Sequence, residues 1–225
     1  MTRWLTNCLK KNRDMKILII GASAIRDYRF IATLLPCDYI ICADGGYHHA
    51  SKLGIRPNVV IGDFDSIDRA VIPKNITTVA YDQKKDATDL ELCLNHAKTL
   101  SPESVCIIGA LSERMDHAIY NILLGLKYDF EISFHDDIQC VYYLKSGKTY
   151  SFNAFRVQNG DTVSFIDLNK KPLSNVFVTG VEYPFDETWF LDGKQSISNV
   201  VCDSRGTISI ESGALVLIHL RVQDP

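Results

Sequence analysis

An α/β domain on a mostly parallel sheet flanked by helices, followed by a smaller all-β sandwich domain, is the fold this sequence predicts. Three observations carry that expectation. Short runs that are apolar throughout, such as Ile17-Leu18-Ile19-Ile20 within 16–20 (KILII), read as strands buried on both faces. Up to about residue 144 such runs alternate with helical patterns, and strand–helix–strand alternation builds a parallel sheet covered on both sides. Beyond that point turn signals arrive every few residues between short β-rich runs, the pattern of a sandwich or barrel.

The elements follow in order. Strands are expected at 16–20, 38–43 (DYIICA), 58–62 (NVVIG), 76–80 (ITTVA), 104–109 (SVCIIG) and 130–134 (FEISF). A helix over 47–53 ends at Gly54, a residue suited to a C-terminal cap. The helix over 88–99 gathers Leu90, Cys93, Leu94 and Ala97 on one face. The helix over 117–127 does the same with Ile119, Ile122, Leu123 and Leu126, which predicts a core-facing stripe. In the second half Ser146-Gly147, Asn159-Gly160-Asp161, Asp192-Gly193, Ser204-Arg205-Gly206 and Ser212-Gly213 mark turns. Between them 162–166, 207–210 and 214–220 read as strands. The expected division is an extension over 1–14, a catalytic domain over 15–145 and a β domain over 146–225.

Composition narrows the function. The chain of 225 residues is 46% hydrophobic and 23% charged with a formal net charge of −3, so an ordinary globular protein is expected and a nucleic-acid partner is not favoured. Seven cysteines are scattered without paired spacing, which reads as reduced thiols of a cytoplasmic protein. Residues 1–14 carry Arg3, Lys10, Lys11 and Arg13 but lack a secretory apolar core. No run approaches the ~20 apolar residues of a membrane span.

In open parallel sheets ligands bind beyond the carboxyl ends of the strands, and the acids cluster there. Asp44-Gly45-Gly46 follows one strand. Gly62-Asp63-Phe64-Asp65-Ser66 follows the next. Lys85-Asp86-Ala87-Thr88-Asp89 and Arg114-Met115-Asp116-His117 follow two others. In extended chain Asp63 and Asp65 point to one side and Phe64 to the other. Their like charges then require either a bound proton or something positive between them. A hard cation such as Mg2+, held by carboxylates and substrate phosphates, meets that need. A solvated turn is the plainer reading of the same residues. Thr88 and Glu91 fit a capping box, with Asp89 favoring the helix dipole. Asp116 could cap the next helix, and His117 could pack at its start. The Arg114 guanidinium matches phosphate oxygens, and Gly45-Gly46 permits a turn or a close backbone approach. His48 and His49 receive no role.

These four motifs, in this order and spacing, resemble the thiamine pyrophosphokinase family. Gly180-x-x-Tyr183-Pro184 and Gly193-x-x-x-Ile197-Ser198-Asn199 add weaker matches, so the resemblance spans roughly 15–220. It implies a homodimer that moves the terminal diphosphate of ATP to the hydroxyl of thiamine, with Mg2+. It assigns Asp63, Asp65 and Asp89 to the metal, with Asp44 and Asp116 as further ligands or positioning groups. Arg114 would offset charge on the transferred group. Gly45, Gly46, Ser66, Lys85, Thr88 and His117 would contact phosphate or nucleotide, and Ser198 and Asn199 thiamine. Two departures stand out. Ser112-Glu113 replace a glycine pair, and Val200-Val201 stand where an aromatic would stack on thiamine, leaving Tyr183, Trp189 and Phe190 as candidates. The competing readings are a haloacid dehalogenase-type phosphatase, with Asp63 as nucleophile and His135-Asp136-Asp137 as later metal acids, a nucleotide-sugar glycosyltransferase, and a non-catalytic nucleotide or thiamine sensor.

Overall fold

The computed structural model describes residues 14–84, 86–111 and 114–221. All but one residue of the expected N-terminal extension therefore lies outside the described residues. The chain divides into two compact units, the first ending at Ile132 and the second beginning at Ser133.

Among the described residues the first unit is built on five parallel strands: β1 (Lys16–Ile20), β2 (Tyr39–Ala43), β3 (Val59–Gly62), β4 (Thr77–Ala80) and β5 (Ser104–Ile108). Their order is β5-β1-β2-β3-β4. The central strand is apolar on both faces because both are covered: Ile17, Leu18, Ile19 and Ile20 are all buried. From β1 the chain steps outward through β2, β3 and β4, then returns to lay β5 on the other side of β1. Strand order thus reverses between β1 and β5, the switch point at which open sheets form a ligand crevice.

Among the described residues three α-helices accompany the sheet: α1 (Gly46–Lys52), α2 (Asp89–Thr99) and α3 (Met115–Gly125). Gly54 follows α1 with φ +66, the left-handed turn expected of a terminating glycine. The second helix buries Leu90, Cys93, Leu94 and Ala97, the face its periodicity predicts. The third corrects the sequence reading. It buries Asn121, Leu124 and Gly125, whereas Met115, Ile119 and Leu123 are 73%, 52% and 40% exposed. Polar ties set this rotation. Asn121 Nδ2 donates to the Ala110 carbonyl at 2.8 Å from a buried position, and Tyr120 donates to Glu91 of α2 at 2.7 Å. A buried amide without a partner is costly, so its hydrogen bond overrides the apolar stripe.

The second unit takes in β6 (Glu131–His135) from Ser133 on, β7 (Gln139–Lys145), β8 (Thr149–Ser151), β9 (Thr162–Ile166), β10 (Val176–Val178), β11 (Ser196–Val200), β12 (Thr207–Ile210) and β13 (Ala214–Leu220). One antiparallel layer runs β11-β9-β13-β7-β6 and the other β10-β12-β8. Phe165, Leu215 and Leu217 of the first layer share a core with Val176, Val178, Ile208 and Ile210 of the second. The division at 132/133 falls earlier than the 145/146 expected from turn density. The reason is β7, which pairs with β13 from Gln139↔Leu220 to Lys145↔Ala214 and so belongs with the antiparallel strands. No helix among the described residues is long and apolar enough to cross a membrane.

A polar cluster interrupts the burial of this second unit. His135 Nδ1 lies 3.2 Å from Arg221 and 3.2 Å from Cys140 Sγ, while Nε2 lies 2.9 Å from Ser133 Oγ. Arginine can only donate, so Nδ1 accepts and Nε2 carries the proton. Burial first, then the Arg221 charge, pushes His135 down to about 3. Burial also lowers His219, although Asp161 stands 2.9 Å from its Nε2. Both folded values lie below the unfolded one, so below about pH 6.5 the unfolded chain binds protons that the folded chain refuses. Stability is therefore present above that pH and lost as pH falls toward 3. At pH 5 His135 alone should cost about 2 kcal/mol relative to pH 7.5. Urea midpoints compared between wild type and His135→Gln should show a smaller acid loss in the variant; identical pH slopes would contradict the assignment.

Candidate active site

The acids after β2 and β3 meet at the sheet rim. Asp44 continues the ladder one residue past β2, its N–H donating to the Ile61 carbonyl at 2.8 Å. The backbone then turns through φ 41, a left-handed conformation that Asp tolerates better than most residues. Gly62 makes the approach fit, since a Cβ there would stand 2.7 Å from the Asp44 Cβ.

Asp63 and Asp65 converge by a route different from the extended pleat expected. Phe64 has φ 59, so the chain turns between them. The Asp65 N–H donates to Asp63 Oδ1 at 3.3 Å, and Ser66 Oγ donates to Asp65 Oδ1 at 2.9 Å. Phe64 packs against the apolar core of the unit, with the Arg69 guanidinium 4.7 Å over its ring. The result is that Asp44, Asp63 and Asp65 each present an oxygen within 4.8 Å of the other two. Asp44 is 3% exposed, and its Oδ2 accepts from the Ser66 N–H at 3.3 Å. Its buried Oδ1 has no hydrogen-bond partner among the described residues. A buried carboxylate with an orphan oxygen beside two like charges is unfavourable unless a cation joins them. Three carboxylates form a hard-oxygen donor set of the kind that suits Mg2+.

Beside this triad lies a cavity of about 190 Å³, at the switch point. Its floor is Gly21, Ala22 and Ser23 after β1, with Gly109 and Ala110 after β5. Asp44, Ser66, Thr88 and Asp89 also line it, with His117 and Asn121 of α3. A Cβ on Gly21 would meet the Gly109 carbonyl at 2.3 Å, so the two segments run in contact past the strand ends. Sequence reasoning missed Gly21–Ser23, Gly109–Ala110 and Asn121. The available signal was a glycine directly after each of two wholly apolar runs.

The other expected residues fall into place individually. Thr88 caps α2, its Oγ accepting from the Glu91 N–H at 3.3 Å. Glu91 does not return the bond as a capping box requires; its carboxylate accepts from Tyr120 and Lys127. Asp89 lines the cavity while Asp44 completes the close carboxylate triad. Gly46 is a packing glycine: a Cβ there would lie 2.0 Å from the Ile20 carbonyl, so no ligand is needed to explain it. Gly45 sits nearest Ala22 and Ser66. Arg114 and Asp116 pair at 2.6 Å in an exposed position, which holds the Asp116 carboxyl below its usual range and raises Arg114. Lys85 and Ser112-Glu113 lie outside the described residues.

Comparison with known proteins decides the family. The sequence model described as "Thiamin pyrophosphokinase, catalytic domain" matches residues 30–135. A thiamine pyrophosphokinase of Bacillus subtilis is 32% identical over 174 residues, 74% of this chain and 79% of that protein. The chain belongs to the thiamine pyrophosphokinase family.

Solved structures of family members agree. The crystal structure of thiamine pyrophosphokinase from Bacillus subtilis superposes with a TM-score of 0.77 at 26% identity, covering 92% of this chain and 100% of that one. That from Geobacillus thermodenitrificans gives 0.74 at 26%, covering 93% and 99%. Membership in a family of ATP:thiamine diphosphotransferases sets aside the phosphatase and glycosyltransferase readings. Of the later acids offered for a phosphatase, Asp136 is engaged in a turn, its Oδ1 accepting the Ile138 and Gln139 N–H groups.

In the second unit Asn199 is buried rather than offered to a ligand. Its Oδ1 accepts from the Tyr183 N–H at 3.1 Å and its Nδ2 donates to the Tyr183 carbonyl at 2.8 Å. Ser198 is exposed at φ 56, its N–H bonded to Ser164 Oγ at 3.0 Å. Of the three aromatic candidates, Phe190 is buried, and Trp189 lies between the Phe185 ring at 5.4 Å and the Lys194 ammonium at 5.2 Å. Tyr183 is 68% exposed.

Neutralising one acid tests the electrostatics of the triad. Asn suits the left-handed backbone at position 44 and can donate to a neighbouring carboxylate. Asp44→Asn should therefore stabilise the metal-free protein by about 1 kcal/mol, read as a raised Tm in a chelating buffer. A lowered Tm would mean that the three charges do not repel in the folded chain.

Proposed function

We propose that this chain transfers the β,γ-diphosphoryl group of ATP to the hydroxyl of thiamine, giving thiamine diphosphate and AMP. The observation that carries the reading is the convergence of Asp44, Asp63 and Asp65 beside a switch-point cavity, in a chain of this family. The thiamine hydroxyl oxygen forms a bond to the β-phosphorus and releases its proton to solvent. The bond from that phosphorus to the oxygen bridging the α-phosphate breaks, and the oxygen leaves with AMP. The protein's task is positioning and charge neutralisation rather than covalent chemistry.

Asp44, Asp63 and Asp65 would hold Mg2+, with Asp89, which lines the same cavity, as the next donor. Bound there, the ion would neutralise the triphosphate and the charge that develops on the leaving phosphate. Ser66, Thr88 and His117 face the nucleotide, Lys85 joins them by its place in the motif, and Arg114 offsets charge on the transferred group. In the β unit Tyr183 offers its ring to the cationic thiazolium, an attraction aromatic faces provide. Asn199 fixes the Tyr183 main chain, and Ser198, its neighbour in sequence, is exposed.

The chain works as a homodimer in this reading. Its support is the stripe of Met115, Ile119 and Leu123 along α3, apolar and exposed at the helix that begins with Arg114 and His117. A second copy would remove that surface from water. A cytoplasmic location accords with six free cysteines among the described residues.

Purified protein with ATP, Mg2+ and thiamine should yield AMP and thiamine diphosphate by chromatography, with AMP dependent on thiamine. Chelation of the metal should stop the reaction. Asp65→Asn should lower turnover by about a thousandfold with the fold retained. ATP binding with no turnover would instead support the sensor reading.

A further inference from the structure

The floor of the cavity is strapped from both sides through one residue, Ser23. Its N–H donates to the Gly109 carbonyl at 2.9 Å, which ties it to the end of β5. Its carbonyl lies 3.0 Å from His49 Nε2, which ties it to α1. A carbonyl can only accept, so Nε2 carries the imidazole proton. The other nitrogen, Nδ1, then accepts from the Tyr28 hydroxyl at 2.7 Å. Tyr28 is held in turn, with the Lys52 ammonium 4.5 Å over its ring. Burial lowers the His49 pKa, in keeping with a neutral ring that uses one nitrogen as donor and the other as acceptor.

The same short helix therefore touches both parts of the site. Asp44-Gly45 leads into α1 and supplies the buried acid of the triad. One turn later His49 reaches the floor. We propose that His49 is a positioning residue for the nucleotide: through the Ser23 main chain and Tyr28 it sets the distance between the cavity floor and the acidic triad. This rests on the reading that the cavity takes ATP, and it extends that reading to a residue with no motif of its own. The residue touches no reacting atom, so its loss should act on nucleotide affinity more than on thiamine.

The test uses the full chain and measures kcat, the KM for each substrate and, by calorimetry, the Kd for ATP. His49→Phe fills the space but lacks both hydrogen bonds. It should raise KM and Kd for ATP about tenfold and leave the thiamine KM unchanged. His49→Gln keeps an N–H able to reach Ser23 and should restore most of the affinity. Tyr28→Phe removes a single hydroxyl and should cost roughly threefold in ATP affinity. If His49→Phe fails to fold, Tyr28→Phe decides: unchanged ATP affinity there overturns the proposal. Unchanged ATP affinity in a folded His49→Phe, or equal rises for ATP and thiamine, also overturns it. A wild-type chain that binds ATP in a His49-dependent way without forming thiamine diphosphate would sink the reaction assignment while leaving His49 in its positioning role.

Discussion

Mutual repulsion among three carboxylates is the constraint around which the first unit is arranged. Folding forces Asp44, Asp63 and Asp65 within 4.8 Å of one another, and takes one of them almost wholly out of water. No stability argument favours that placement for its own sake, because a buried unpaired carboxylate opposes folding. It makes sense as stored demand for a cation. The strain sits in a turn at Phe64 and a left-handed residue at Asp44, which is where functional sites concentrate such conformations.

What holds the acids in place is apolar and glycine-based. Buried strands of Ile, Val and Leu fix the ladder that ends at the rim. Gly62 lets Asp44 lie against β3, and Gly46 lets α1 start beneath the Ile20 carbonyl. Gly21 and Gly109 approach closely at the switch point, where both line the cavity. Rigid packing of this kind is what a phosphoryl-transfer site needs, since its catalysis comes from pre-set geometry.

Much of this was legible in the sequence because its signals are local. The short apolar and β-rich runs placed these five parallel strands to within a residue or so, and the helix periods located α2 and its buried face. The acidic motifs announced themselves by following those strands. Three features were hidden for one common reason, that long-range contacts overrode local pattern. The stripe of Ile119 and Leu123 reads as core, but the Asn121 hydrogen bond to Ala110 rotates it outward. Asp63 and Asp65 read as neighbours on a pleat, but Phe64 packing imposes a turn. The strand over 139–145 was not among the expected strands, and its partner lies some seventy residues later in β13. His49 carried no motif signal at all, because its partners, Ser23 and Tyr28, belong to another segment.

The central claim is that the rim acids share one divalent cation and present it to a triphosphate. Titration of Mn2+ followed by electron paramagnetic resonance tests it most directly. The account predicts one tight ion per chain, bound more tightly in the presence of ATP and lost in Asp63→Asn and Asp65→Asn. Mn2+ affinity indifferent to both substitutions would contradict it.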